Sequence, residues 1–141
     1  MAKHITHGPQ QTAELARRLG GKLRAGDILA LFGGLGAGKT TFCRGLAVGL
    51  HCKGHVSSPT FDLVHLYEGD IPLAHFDAYR ITSTDDLEAA GFYDYHEQGA
   101  VIAVEWSENI LPLIEGPYIS VSITPLGGDV REISIQGVDG F

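Results

Sequence analysis

Ile28-Leu29-Ala30-Leu31-Phe32-Gly33-Gly34-Leu35-Gly36-Ala37-Gly38-Lys39-Thr40 is the stretch that decides the fold. Its first five residues are a continuous apolar run, the pattern of a strand buried on both faces of a parallel sheet. The next eight satisfy G-x-x-x-x-G-K-[ST]. Beyond them Phe42, Leu46 and Leu50 recur every four residues up to Gly54, which predicts a helix over 38–51. Strand, glycine loop and helix in this order let successive backbone N–H groups face one phosphate, with the helix N-terminus adding positive dipole. Lys39 then reaches the β- and γ-phosphates, and the Thr40 hydroxyl suits Mg²⁺. A chance glycine turn explains neither Lys39-Thr40 nor the elements on each side.

Working outward, Leu15, Leu19 and Leu23 mark one stripe of a helix over 12–24, although Gly20 and Gly21 each weaken it by about 1 kcal/mol. Two further apolar runs end in a carboxylate: Leu73-Ala74-His75-Phe76 before Asp77, and Val101-Ile102-Ala103-Val104 before Glu105. Both read as inner strands. Between them, residues 82–91 carry an acidic first turn and apolar Leu87 and Ala90, which predicts a short crossover helix. Ile119, Val121 and Ile123, then Ile133 and Ile135, alternate with polar residues about Pro125-Leu126-Gly127-Gly128-Asp129, a hairpin pattern. The expected fold is a three-layer α/β P-loop domain with a mostly parallel central sheet and an antiparallel edge hairpin. At 141 residues, 1–141 is expected to be a single domain.

The net charge of −7 hides an asymmetry: residues 1–53 carry +6 and residues 54–141 carry −13. An anion site therefore belongs to the first third, and the acidic remainder is a poor surface for RNA, whose phosphates attract basic patches. Eleven of the nineteen glycines also fall in the first 54 residues, which places the tight backbone work there. No apolar run approaches the roughly 20 residues of a membrane span, and residues 1–10 do not resemble a signal peptide, so a soluble cytoplasmic protein is expected. Cys43 and Cys52 would stand about 13 Å apart on a helix, too far for a disulfide. They read as reduced, structural thiols. His51, Cys52 and His55 lack the fourth ligand and the spacing of a structural metal site.

A phosphate loop needs a carboxylate on a neighbouring strand for the metal shell, and a group that orients the attacking water or the acceptor. Asp77 and Glu105 both end apolar runs, so both are expected at the carboxyl edge of the sheet, where open α/β sheets bind ligands. Ser57-Ser58-Pro59-Thr60-Phe61 follows the loop helix where nucleotide switches place a hydroxyl, and Thr60 is the sensor candidate. Trp106, the only tryptophan, follows Glu105 and is expected to line the nucleotide or a partner surface. Arg80 either folds over the γ-phosphate or pairs with an acid. Guanine readers use Asn-Lys-x-Asp, and the only asparagine, Asn109, precedes Ile110, so ATP is favoured over GTP.

With these residues in hand the chain resembles the TsaE family, small ATPases of bacterial tRNA threonylcarbamoyladenosine synthesis. The resemblance spans nearly the whole chain. It rests on the loop through Thr41-Phe42, on Val56-Ser57-Ser58-Pro59-Thr60-Phe61-Asp62-Leu63-Val64, on His75-Phe76-Asp77-Ala78-Tyr79-Arg80 and on Val104-Glu105-Trp106. It implies ATP and Mg²⁺ as cofactors, with Gly33, Gly34, Leu35, Gly36, Ala37, Gly38, Lys39, Thr40 and Thr41 around the nucleotide. It implies Thr60 as switch, Asp77 as catalytic carboxylate and Glu105 in the magnesium shell, the last two being exchangeable. It also implies slow ATP hydrolysis in support of TsaD and TsaB proteins, which transfer threonylcarbamoyl to adenosine 37 of tRNA. The family usually has aspartate where this chain has Gly34. Two readings compete with it. A small-molecule or nucleoside kinase would carry an arginine-rich lid, whereas only Arg80 and Arg131 follow residue 53. A nucleotide-gated binding module would hydrolyse ATP only incidentally.

Overall fold

The computed structural model describes residues 2–34, 36–57, 64–78, 81–105, 110–114 and 116–141, with 2 and 55–57 as backbone only. Its centre is the expected apolar run: β2 (Ile28–Phe32) pairs in parallel with β6 (Val101–Glu105) on one side and with β7 (Ile119–Gly127) on the other. Strand β5 (Leu73–Asp77) extends the parallel part beyond β6. Both flanks are antiparallel. β8 (Val130–Gln136) returns along β7 and is followed by β1 (Ala2–Thr6), while β4 (Val64–Tyr67) and β3 (His55–Ser57) close the other side. The order across the eight-stranded sheet is β1-β8-β7-β2-β6-β5-β4-β3.

Side chains of successive strand residues point to opposite faces, so each inner strand feeds two cores. Leu29, Leu31, Leu73, Val101 and Ala103 meet α1 (Pro9–Gly20) and α2 (Lys39–Gly49). Ile28, Phe76, Ile102 and Val104 meet α3 (Thr84–Ala89) and α4 (Phe92–Glu97). The three layers expected from the sequence are present.

Several boundaries differ from the expected ones. Helix α1 starts at Pro9, whose missing N–H suits a first helical turn, and ends at Gly20, before Leu23. Residues 82–91 hold only α3, capped by the Ser83 side chain accepting from Asp86 N, and Gly91 with φ 86° starts the unexpected α4. The hairpin closes later than Pro125, because β7 continues through a bulge between Pro125 and Gly127. Strands β1, β3 and β4 carry too weak an alternation to be read from sequence, and they make antiparallel edges on both sides instead of one.

The glycines of α1 and α2 do more than weaken helices. A Cβ added at Gly45 would stand 2.5 Å from the Ala13 carbonyl oxygen and 2.7 Å from Ala16 Cβ. The clash is with backbone that cannot rotate away, so the two helices would have to separate. Gly45→Ala is expected to cost about 2 to 3 kcal/mol by overpacking, despite the roughly 1 kcal/mol of helix propensity that alanine adds. Thermal denaturation should show a melting temperature lower by about 5 to 10 °C; an unchanged or higher value would contradict this close helix contact.

Candidate functional site

Beyond β2 the chain turns through the glycine loop, where Gly36 (φ 75°) and Gly38 (φ 109°) occupy the left-handed region that side chains avoid. A Cβ at either position would meet nothing within 4 Å, so it is the backbone conformation and not crowding that calls for glycine here. The contrast with α3 is informative. Helix α3 has a serine cap and two acids, Asp85 and Asp86, in its first turn, whereas α2 begins at Gly38 with neither a side-chain cap nor an acid. The N-terminal dipole of α2 thus meets neither a side-chain cap nor an acid of its own first turn, as a phosphate cradle requires.

The two strand-end acids lie side by side, since Asp77 and Glu105 are register partners in the β5–β6 ladder. The Ala78 N–H donates to the Glu105 carbonyl at 3.0 Å, which ties the two strand ends together. Glu105 Oε1 is 3.7 Å from the ammonium of Lys39, which is buried at 5% exposure. Glu105 Oε2 accepts a 2.7 Å hydrogen bond from His75 Nε2. Thr40, Asp77, Glu105 and His75 all line one cavity of about 470 Å³ that continues along α2 past Arg44 to Tyr67. Hydroxyl and carboxylate oxygens converging beside a phosphate cradle are the hard donors that Mg²⁺ takes. The residues fit both groups. A cavity of equal volume at the other end of β2, lined by Lys22, Arg24, Asp27, Tyr118 and Asp139, does not include the glycine loop, Asp77 or Glu105.

Burial works to raise the Glu105 pKa, but the hydrogen bond and charge of His75, followed by those of Lys39, hold it below its ordinary 4.5. For His75, burial opposes the charged form, yet the Cys43 sulfur and the Glu105 carboxylate outweigh it and push the pKa up to about 10. The groups facing the His75 ring are Cys43 from α2, Glu105 from β6 and His65 from β4, whose ring centroid is 5.8 Å away. The His75 contribution to stability is complete below its ordinary 6.5 and is lost as pH rises through about 10. That of Glu105 is complete above 4.5 and is lost as pH falls through its lowered value. The melting temperature of the native chain should therefore exceed that of Glu105→Gln most at pH 5 to 6, and the difference should shrink steadily toward pH 10. A difference that grows with pH would contradict the ion pair.

Arg131, on strand β8 far along the chain from the loop, carries no local pattern that points to the site. Its Nε–H donates to the Ala37 carbonyl at 2.9 Å and its Nη2 to the Gly36 carbonyl at 3.3 Å, while Nη1 donates to Gly128 and Val130. One guanidinium thus joins the glycine loop to the β7–β8 turn. Leu35, Thr60, Arg80 and Trp106 lie outside the described residues. Cys43 is buried and Cys52 half-buried, both as free thiols, and Cys52 Sγ donates to the Ile71 carbonyl at 3.5 Å. Among the described residues no helix is long and apolar enough to cross a membrane.

Residues 6–133 match the family model described as Threonylcarbamoyl adenosine biosynthesis protein TsaE. The chain belongs to the TsaE family. Proteins described as tRNA threonylcarbamoyladenosine biosynthesis protein TsaE share 37% identity in Bacillus subtilis strain 168, covering 96% of this chain and 85% of that one. In Streptomyces coelicolor the identity is 42%, covering 89% of each chain. The crystal structure of Bacillus subtilis YdiB superposes with a TM-score of 0.75 at 32% identity, covering 95% of this chain and 83% of YdiB. TsaE membership also bears on Gly34. Its φ lies outside the left-handed region and a Cβ there would meet nothing within 4 Å, so the backbone of this loop accepts the aspartate that the resemblance leads one to expect. Gly34→Asp is expected to change stability by no more than about 0.5 kcal/mol; a larger loss of melting temperature would show that this loop has come to depend on glycine.

Proposed function

We propose that this TsaE-family chain binds Mg·ATP in the glycine loop and hydrolyses it slowly, in support of TsaD-like and TsaB-like proteins during threonylcarbamoyl modification of tRNA adenosine 37. The observation that carries the reading is the convergence of the Lys39 ammonium, the Thr40 hydroxyl and the paired Asp77 and Glu105 at the end of the glycine cradle. Lys39 and the N–H groups of α2 hold the phosphates, while Thr40 and Glu105 hold the metal. Asp77 orients or deprotonates the attacking water. Magnesium, when bound, neutralises charge that builds up on the transferring phosphoryl group. Among this chain's own groups Lys39 is the cation beside the strand-end acids, Arg131 being engaged with the loop carbonyls of Gly36 and Ala37 and Arg80 a further candidate, which suits slow turnover by the isolated protein. The acidic portion from residue 54 onward suits docking to protein better than to RNA, and the reaction belongs in the cytoplasm.

Phosphate release by the chain alone, then with the two partner proteins, tests this reading. Slow release that rises with the partners, together with nucleotide-dependent pull-down, is expected. Rapid turnover alone, or phosphorylation of a small-molecule acceptor, would favour a kinase. Nucleotide-dependent pull-down with no release at all would favour a nucleotide-gated binding module.

A further inference from the structure

On the face of β5 that meets α1 and α2, Leu73, His75 and Asp77 succeed one another, and the first is packed into the apolar core. His75 is just as deeply placed, at 3% exposure, and pairs in register with the small Ala103. An imidazole sunk among apolar side chains is costly unless its nitrogens are satisfied. The ring is held by the carboxylate beside it. Nε2 donates to Glu105 Oε2 at 2.7 Å, and the Cys43 sulfur of α2 faces the same ring. Cys43 is one helical turn beyond Thr40, so a chain of three side chains runs from the loop helix, through the core, to the end of β6. Cysteine, histidine and acid in this order suggest a nucleophile, but Cys43 has no exposed surface and no substrate could reach it.

The two buried basic side chains among the described residues, Lys39 and His75, both address Glu105. They take different oxygens: Oε1 faces Lys39 and Oε2 faces His75. The two contacts have different prospects. Lys39 is the group that must turn to phosphate when nucleotide enters, whereas His75 is buried on β5 beside Cys43 and His65 and keeps its bond to Glu105.

We propose that His75 is a positioning residue, which fixes the Glu105 carboxylate by the Nε2–Oε2 hydrogen bond so that it keeps its place at the site when Lys39 engages phosphate. This rests on the reading that Glu105 serves nucleotide hydrolysis. Without the bond, Glu105 is free to follow the Lys39 ammonium or to turn into the cavity, and its remaining oxygen is no longer held beside Thr40 and Asp77, the residues that would share a metal with it. Losses on removing such an outer hydrogen bond are typically about ten- to a hundredfold.

The link is tested first without nucleotide or metal, by long-range ¹H–¹⁵N spectra of the histidine rings, with the His75 signal assigned by its disappearance in His75→Gln. Glu105→Gln should move the His75 Nε2 resonance markedly; an unmoved resonance would overturn the proposal. The second arm measures phosphate release and metal-free ADP affinity in His75→Ala and His75→Gln, the glutamine amide being able to reach the place of Nε2. In His75→Ala, kcat should fall about tenfold and the magnesium needed for half-maximal rate should rise, while ADP affinity stays within about threefold. His75→Gln should recover most of the rate. If His75→Ala melts too low to assay, the spectra and His75→Gln decide alone: a glutamine variant with native melting and a tenfold loss of rate would overturn the proposal. If Glu105→Gln loses turnover but His75→Ala does not, the positioning role fails; if Glu105→Gln itself keeps full turnover, the role given to Glu105 in hydrolysis fails instead.

Discussion

Lys39→Ala is expected to weaken nucleotide binding by at least about a hundredfold, with phosphate release falling below detection. The size follows from the interactions removed. Hydrogen bonds from a charged donor contribute about 1.5 to 3 kcal/mol each, and the ammonium has reach for two phosphate oxygens, so about 3 kcal/mol or more is lost. At about 1.4 kcal/mol per decade this is two orders of magnitude. Backbone N–H groups at the start of α2 cannot replace a full charge. The fold should survive, because the carboxylate that Lys39 faces keeps its hydrogen bond to His75. Calorimetric titration with ATP and ADP, with a melting curve for each protein, checks this. Equal affinity in a folded variant would remove the phosphate loop from the functional account.

Asp77→Asn and Glu105→Gln should fail in different ways although the residues are register partners. Both oxygens of Glu105 face basic groups, Lys39 and His75, and a carboxylate so engaged with its pKa held low is a poor proton acceptor but a well-placed metal ligand. Proton transfer or water orientation then falls to Asp77. Loss of a positioned base typically costs about 10²- to 10⁴-fold, so Asp77→Asn should bind Mg·ATP normally and turn over at least about a hundredfold more slowly. Glu105→Gln should shift the magnesium requirement upward and lose the metal-dependent gain in nucleotide affinity. Rates across a magnesium titration, with nucleotide affinity measured with and without metal, separate the two outcomes. The reverse pattern would exchange the roles.

The glycine loop, the strand before it, the helix after it and the two strand-end acids could be read in the sequence because each is a local pattern. A buried parallel strand must be apolar throughout, a phosphate cradle must have glycines at fixed offsets, and an acid that ends an apolar run must emerge at a sheet edge. Those constraints act over five to ten neighbouring residues and leave a visible trace. That Asp77 and Glu105 are direct neighbours, however, depends on β5 and β6 pairing in register, and pairing is chosen by the packing of the whole sheet. The flanking strands β1, β3 and β4 owe their state to the partner strand, not to their own residues, and so left no clear pattern.

The same division separates the site residues. Lys39 and Thr40 belong to a motif, and their position follows from chain geometry within one turn. His75 looks in sequence like one polar residue within an apolar run, and only the fold brings Glu105, from a strand thirty residues on, to within 2.7 Å of its ring. Arg131 is further still, 94 residues from the Ala37 carbonyl to which it donates. Gly45 read as one more residue of a helix until α1 lay across it, with Ala13 and Ala16 where a side chain would go. The sequence by itself determined the glycine loop with Lys39 and Thr40 and the two acids at the strand ends, because backbone sterics and burial act locally. Tertiary structure alone decided what holds those groups in place, because hydrogen bonds and close contacts between distant segments exist only once the sheet and its helices have packed.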